Sequence, residues 1–231
     1  MSVDLLDQLT KRETVKEFKA AVTWVIDVTG SMGSEIGAVR DTLLEFANIF
    51  EKRGVRLDLG LVSFRDLTIG EDVTTHSFGG KTFTRDANEF RSEIKSALVA
   101  GGGGPTPESS YEAMIQACNL EWPQGADRTI VLITDAPPHT SSPCPCGQPC
   151  GSIYDSAEVK KQLDEANINL TVLTYVNEED IRESYRSCQN PMREPIMFDL
   201  GNKDKSSLIK TIRNIGLNTS ERTGKSDSLT E

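Results

Sequence analysis

Carboxylate and hydroxyl side chains recur in three short segments of this 231-residue sequence. Asp27, Thr29 and Ser31 lie within five residues directly after an apolar run, and two later segments supply Thr106 and Asp135. The first three occupy one tight turn, so their oxygens can converge on a single point. Two carboxylates and three hydroxyls form an all-oxygen set, which suits Mg²⁺ or Mn²⁺ better than Zn²⁺. The pattern predicts a hard-cation site that keeps a coordination position open for a carboxylate from a partner.

A second group of side chains has the softer donors that zinc prefers. His139, Cys144, Cys146 and Cys150 lie within twelve residues, and Cys188 is a distant alternative ligand. Four such ligands would close a tetrahedral site, and that site would be structural because no position stays open. The spacing is not one of the common two-pair zinc arrangements. Free loop thiols, or one disulfide in an oxidising compartment, are the alternative interpretation.

Two apolar runs must position these groups. Residues 20–26 and 129–134 are apolar on both faces and are each followed by an aspartate, which is typical of buried parallel strands. Further strands are predicted at 57–64, 73–78, 168–176 and 196–198, and helices at 3–19, 34–53, 87–100, 111–118, 156–166 and 205–215.

Alternating strands and helices predict the α/β class, with a doubly wound, mostly parallel central sheet and helices on both faces. The strand at 73–78 is expected at an edge, where it would be antiparallel. Ligands of such sheets bind at the carboxyl ends of the strands. We therefore expect Asp27, Asp135 and the loop at 101–109 to meet there.

The domain organisation follows from the same patterns. Residues 20–215 are expected to form one domain with a cysteine-rich insert at 139–151. A lead-in helix at 1–19 precedes it, and the polar residues 216–231 are expected to be a disordered tail.

Composition narrows the choice of partners. The chain has 25 basic and 35 acidic residues, a net charge of −10, which disfavours nucleic acids and anionic membranes. No apolar run approaches the roughly 20 residues of a membrane-spanning helix, and no secretory signal is visible at the start. Five cysteines, an odd number, favour a reducing compartment, so a cytoplasmic location is expected.

The first group of residues resembles the metal-ion-dependent adhesion site of the von Willebrand factor type A domain family. That site has the pattern Asp-x-Ser-x-Ser, a distant Thr and a distant Asp, which correspond here to Asp27, Thr29, Ser31, Thr106 and Asp135. The resemblance implies a divalent cation, held partly through water, that recognises a Glu or Asp of a partner protein. Thr29 replaces the first serine of the pattern; it retains the hydroxyl and adds a methyl group.

The resemblance also implies a role. The stretches Asp-Val-Thr-Gly-Ser-Met and Asp-Ala-Pro-Pro-His are most similar to intracellular alpha-kinase-linked, hemicentin-like and bacterial stress-operon members. It implies a non-enzymatic cytosolic scaffold or regulator of a multi-protein system, in stress response or defence, with no nucleic-acid or membrane partner.

Two other functions stay open. The first is a metal-dependent phosphohydrolase that uses Asp27 as nucleophile or metal ligand. Haloacid-dehalogenase-type phosphatases have a second aspartate two residues later, where this chain has Thr29, which disfavours that hypothesis. The second is a purely structural metal.

Three polar residues outside these groups receive simpler interpretations. His76 has no adjacent nucleophile in the sequence, which favours a surface or packing residue. Arg65 and Asp66 follow a predicted strand, where a solvated ion pair is favoured over an outer role for Asp66 at the metal site.

Overall fold

The computed structural model describes residues 19–53, 57–104, 106–141, 151–189 and 196–200. The strands within this part are β1 (Ala20–Asp27), β2 (Leu57–Phe64), β3 (Val73–Thr75), β4 (Asp127–Ile133), β5 (Ile168–Thr174) and β6 (Ile196–Asp199). The α-helices are α1 (Ile36–Arg53), α2 (Ala87–Ala97), α3 (Ser110–Cys118), α4 (Ser156–Glu165) and α5 (Glu179–Arg186). Two short 3₁₀ turns, Gly30–Ser34 and Leu67–Ile69, follow β1 and β2.

The strands form one six-stranded sheet in the order β3-β2-β1-β4-β5-β6. Neighbouring strands from β2 through β1, β4 and β5 to β6 pair in parallel, and β3 pairs antiparallel with β2 at the edge. The predicted fold class is therefore confirmed. Strand order reverses between β1 and β4, which places a crevice at their carboxyl ends.

The sheet is covered on both faces. Val22, Trp24 and Ile26 of β1 pack with α1 and α2, whereas Val25 packs with α3, α4 and α5. Every residue of β1 is buried, which explains why its sequence is apolar on both sides. Among the described residues, no helix has the length and apolar character needed to cross a membrane.

Most predicted elements are confirmed with small shifts at their ends. The predicted strand at 73–78 is shorter than expected, because Phe78 instead pairs with Lys81 in a tight turn at Gly79 and Gly80. Helix α5 was not predicted. It contains only two apolar side chains, Ile181 and Tyr185, and both are buried against the sheet.

Several predictions fall outside the described residues. They are the helices at 3–19 and 205–215 and the tail at 216–231.

His76 is a packing residue, one of the two roles expected for it, and its ring lies between the sheet and a helix. Its Nε2 atom lies 2.8 Å from Ser63 Oγ, and its Nδ1 atom lies 2.8 Å from Glu93 Oε1. Ser63 belongs to β2 and Glu93 to α2, so the imidazole connects the sheet to this helix. The two residues are 13 and 17 positions from His76 along the chain, which is why spacing did not identify them.

Candidate metal centre

The ends of β1 and β4 place the two predicted carboxylates together. The strands are neighbours in parallel register, with Ile26 opposite Ile133. Asp27 is the last residue of β1, and Asp135 follows β4 by two residues. Glycine at position 30 lets the Gly102 carbonyl approach closely, because a Cβ atom there would lie 3.0 Å from that oxygen.

A continuous chain of hydrogen bonds connects four of the five predicted ligands. Thr29 donates to Asp27 Oδ1 from its hydroxyl at 2.6 Å and from its backbone amide at 2.9 Å. The Thr29 and Ser31 hydroxyl oxygens are 3.0 Å apart, and Ser31 donates to Asp135 Oδ1 at 3.1 Å. The hydroxyl of Thr29 thus takes part in this hydrogen-bonded chain. The four side chains present their oxygens to one small region.

Thr106, the fifth predicted ligand, is exposed in the loop before α3. Within the part of the chain that the structure describes, its hydroxyl does not join the hydrogen-bonded chain. Its loop nevertheless lies at the same edge, because Glu108 donates a backbone hydrogen bond to Pro137 in the loop after β4.

The glycine loop before Thr106 packs directly on the first segment. Gly30 donates to the Gly102 carbonyl at 3.0 Å, and Gly103 donates to both carboxylate oxygens of Glu71 at 3.0 and 2.9 Å. Gly103 has a φ of 80°, and a Cβ atom there would lie 2.9 Å from Thr29 Cβ. Glycine is required here because the backbone approaches Thr29 so closely.

Glu108 is a buried carboxyl group that the sequence analysis missed. Glu108 is 2% exposed, and its Oε2 atom has no hydrogen-bond partner. Burial, and then repulsion from Asp27, Asp66, Glu71 and Asp135, raises its pKa to about 8. Its position two residues after Thr106, at the edge of the sheet where ligands were expected, could have identified it as a residue of the site.

Asp27 is a second buried carboxyl group with a raised pKa. It is fully buried and accepts hydrogen bonds from Thr29 and from the Thr134 hydroxyl at 2.7 Å. Burial still raises its pKa to about 6, and burial raises the pKa of Asp135 as well. A carboxylate in such surroundings gains from a neighbouring cation.

These residues fit a hard divalent cation. In the described ranges, no three His, Cys, Asp or Glu side chains come close enough to hold a metal without other donors. A cation here would therefore need the hydroxyl oxygens of Thr29 and Ser31 as well as the carboxylates. Oxygen donors of low total charge, beside the orphaned Oε2 of Glu108, match the preference of Mg²⁺ and Mn²⁺.

Asp66 is buried, so the predicted solvated ion pair with Arg65 is wrong. Its residue is 1% exposed, and its Oδ1 atom accepts from the Thr68 amide at 2.8 Å and contacts His139 Nε2 at 3.0 Å. Arg65 instead donates to the Gly101 carbonyl at 2.7 Å. Asp66 and His139 therefore connect the loop after β2 to the loop after β4.

The family model for the von Willebrand factor A domain matches residues 21–144 of this chain. The chain belongs to the von Willebrand factor A domain family. The match covers β1 to β4 and includes each of the five predicted ligands of the first group.

Two curated relatives match about half of this chain, and both are much longer proteins. Alpha-protein kinase vwkA of Dictyostelium discoideum is 26% identical over 118 residues, which are 50% of this chain and 18% of the relative. An ariadne-like RING finger protein of Acanthamoeba polyphaga mimivirus is 31% identical over 118 residues, 51% of this chain and 11% of the relative. The chain thus spans less than a fifth of either relative.

The A-domain fold recurs in the pilus adhesin SpaC of Lactobacillus rhamnosus GG. In its open conformation that adhesin superposes with a TM-score of 0.66 at 16% identity, over 89% of this chain and 30% of the adhesin. A second crystal structure of the adhesin gives a TM-score of 0.64 at 15% identity, over 89% of this chain and 31% of the adhesin. At this identity the likeness concerns the fold.

Glu108→Gln should stabilise the metal-free A domain at pH 8 by about 1–3 kcal/mol, because the amide stays neutral where burial and neighbouring carboxylates disfavour the charged carboxylate. The folded-state pKa of Glu108 lies above the ordinary value of 4.5. Its contribution to stability is therefore fully present below about pH 4.5 and is lost as the pH rises to about 8. Urea unfolding in EDTA at pH 6 and pH 8 measures the change. The variant should lose less stability across this interval than wild type, and equal losses would contradict the assignment.

The zinc hypothesis remains a prediction. His139 contacts Asp66 through Nε2, while its Nδ1 atom is buried without a partner and is the atom left for a metal. The three cysteines at 144, 146 and 150 lie outside the described residues. Cys188, the alternative ligand, is a buried free thiol that donates to the Ser184 carbonyl at 3.4 Å.

Thiol titration tests this hypothesis. Burial raises the pKa of Cys118 and of Cys188 to about 12, so both should stay unreactive toward Ellman's reagent until the domain unfolds. If zinc is bound, the other three thiols should react rapidly only after a strong chelator is added. Three rapid thiols in the untreated, reduced protein would contradict a zinc site.

Proposed function

We propose that this A domain is a metal-dependent protein-binding module. Mg²⁺ or Mn²⁺ would be held by Asp27, Thr29, Ser31, Thr106 and Asp135, with Thr106 joining from its exposed loop. The hydrogen-bonded chain from Asp27 to Asp135 carries the proposal, since it presents four hard oxygen donors at one edge of the sheet.

Each residue has a separate task in this proposal. The Thr134 hydroxyl donates to Asp27 Oδ2 and fixes the carboxylate, so that Asp27 Oδ1 orients Thr29. Thr29 and Ser31 offer neutral oxygens, and Asp135 accepts from Ser31 in the loop after β4. When bound, the cation supplies an electrophilic position that accepts a carboxylate oxygen of a partner protein.

The cellular role follows from the resemblance to intracellular family members. We propose a non-enzymatic cytosolic scaffold or regulator within a multi-protein system, in stress response or defence. The match to an alpha-protein kinase over 118 residues supports the alpha-kinase-linked branch. The partner would contribute a Glu or Asp, and neither nucleic acid nor membrane would be a partner.

Water relaxation on the Mn²⁺-loaded protein tests the proposal. Water bound to Mn²⁺ speeds the relaxation of bulk water protons, and a ligand that displaces it reduces this effect. The N-acetyl amide of glutamate should reduce the relaxation rate, whereas the N-acetyl amide of glutamine should not, because its side chain lacks the charge. Equal effects of the two compounds would overturn the proposal.

The phosphohydrolase hypothesis predicts a different result with the same preparation. Turnover of p-nitrophenyl phosphate that depends on Mg²⁺ and disappears in Asp27→Asn would favour the phosphohydrolase hypothesis over the proposed binding function. We expect no turnover above that of the metal ion in buffer.

A further inference from the structure

The exposed large apolar side chains of the described residues all lie at one end of the sheet. They are Leu67, Ile69, Val99 and Ile153, which are 42, 54, 57 and 81% exposed. Single exposed apolar residues are ordinary on protein surfaces. Four in loops on the side of the candidate metal centre, with no counterpart elsewhere in the described ranges, indicate a contact surface.

Specific contacts place these residues around the centre. Ile69 packs against Gly104, since a Cβ atom there would lie 3.6 Å from its side chain. Leu67 donates its backbone amide to Ser109 Oγ at 2.9 Å, three residues after Thr106.

The other two members adjoin the same loops. Gly151, two residues before Ile153, packs directly against the side chain of Thr68. The Val99 carbonyl accepts from Arg65 at 3.3 Å, and Arg65 also holds the glycine loop. We call Leu67, Ile69, Val99 and Ile153 the apolar rim.

The surroundings of the centre are strongly acidic. Glu71 accepts from the Gly103 amide, Asp66 accepts from the Thr68 amide, and Glu108 is buried two residues after Thr106. A partner with several carboxylates would be repelled everywhere except at the cation. A partner that adds apolar side chains would gain by covering the rim.

Resting on the proposed function, we propose that the partner segment carries a single carboxylate flanked within two residues by large apolar side chains. The carboxylate meets the cation, and the apolar neighbours cover Ile69 and Ile153. Further acidic residues in the segment are selected against.

Selection from a random peptide library displayed on phage tests this proposal. The full chain is immobilised in Mg²⁺, and bound phage are released with EDTA. We expect enrichment of one Asp or Glu flanked by Leu, Ile, Val or Phe. Enrichment of a carboxylate among polar or basic neighbours would overturn the proposed contact with the apolar rim, but it would still support metal-dependent binding. A selection without EDTA-released peptides, or without an enriched carboxylate, would overturn the proposed function itself.

Variants of the rim provide the second measurement. Ile69→Ser and Ile153→Ser should each lower the affinity for an enriched peptide about tenfold, because burial of an apolar side chain is lost. The Mg²⁺ affinity should not change. Lys95→Ser, on the exposed face of α2, is the matched control and should bind like wild type. Unchanged peptide affinity in both rim variants would overturn the proposal, and melting curves would verify that they remain folded.

Discussion

Asp27→Asn should abolish the rise in melting temperature that Mg²⁺ causes in the wild-type domain. Saturating metal at about 100 times its Kd stabilises a protein by about 2.7 kcal/mol, which corresponds to roughly 5–10 °C for a domain of this size. Asparagine keeps an oxygen acceptor for Thr29 but removes the buried charge, so the cation loses its main anionic ligand. Without metal at pH 8 the variant should be at least as stable as wild type, because burial disfavours the charged form of Asp27.

Asp58→Asn is the matched control for this experiment. Asp58 is also a buried aspartate, but it lies near the start of β2, at the opposite end of the sheet, and pairs with Arg85 at 2.9 Å. This variant should keep the full Mg²⁺ response even if its own stability falls. A Mg²⁺ response that survives in Asp27→Asn would show that the cation binds elsewhere.

Asp66→Ala should destabilise the domain by about 3 kcal/mol, which lowers the melting temperature by roughly 6–12 °C. The substitution removes the acceptor of the Thr68 amide and hydroxyl and the partner of His139 Nε2. The His139 ring would then be buried with both nitrogens unpaired, because its Nδ1 atom already lacks a partner. Thermal melting in EDTA measures the loss without any contribution from the metal.

Asp66→Asn separates the hydrogen bonds from the bulk of the side chain. It keeps one acceptor oxygen in the same volume, so it should cost clearly less than alanine. A double-mutant cycle with His139→Ala should give a coupling energy of about 1 kcal/mol or more. Additive effects would mean that the loops after β2 and β4 are not connected through this pair.

The fold and the proximity of four residues of the first group could be predicted from sequence for a local reason. Strands β1 and β4 are buried on both faces, so their apolar runs are unmistakable, and each is followed by an aspartate at the ligand edge. In a parallel sheet the carboxyl ends of adjacent strands coincide. The proximity of Asp27 and Asp135, which are 108 positions apart, therefore followed from strand type.

The remaining features depend on contacts between distant loops. The pairing of Asp66 with His139, 73 positions away, depends on how the loops after β2 and β4 cross. Glu108 looks like an ordinary residue of an acidic sequence until its burial without a partner is seen. Helix α5 was missed because Ile181 and Tyr185 are its only apolar side chains.

The most direct test of the central claim is an anomalous difference map from crystals of the domain grown in Mn²⁺. We expect one manganese peak at the carboxyl ends of β1 and β4, in contact with the hydroxyl oxygens of Thr29 and Ser31. Crystals of Asp27→Asn grown in the same way should lack that peak. A wild-type map without a peak at this position, or the same peak in both crystals, would contradict the account.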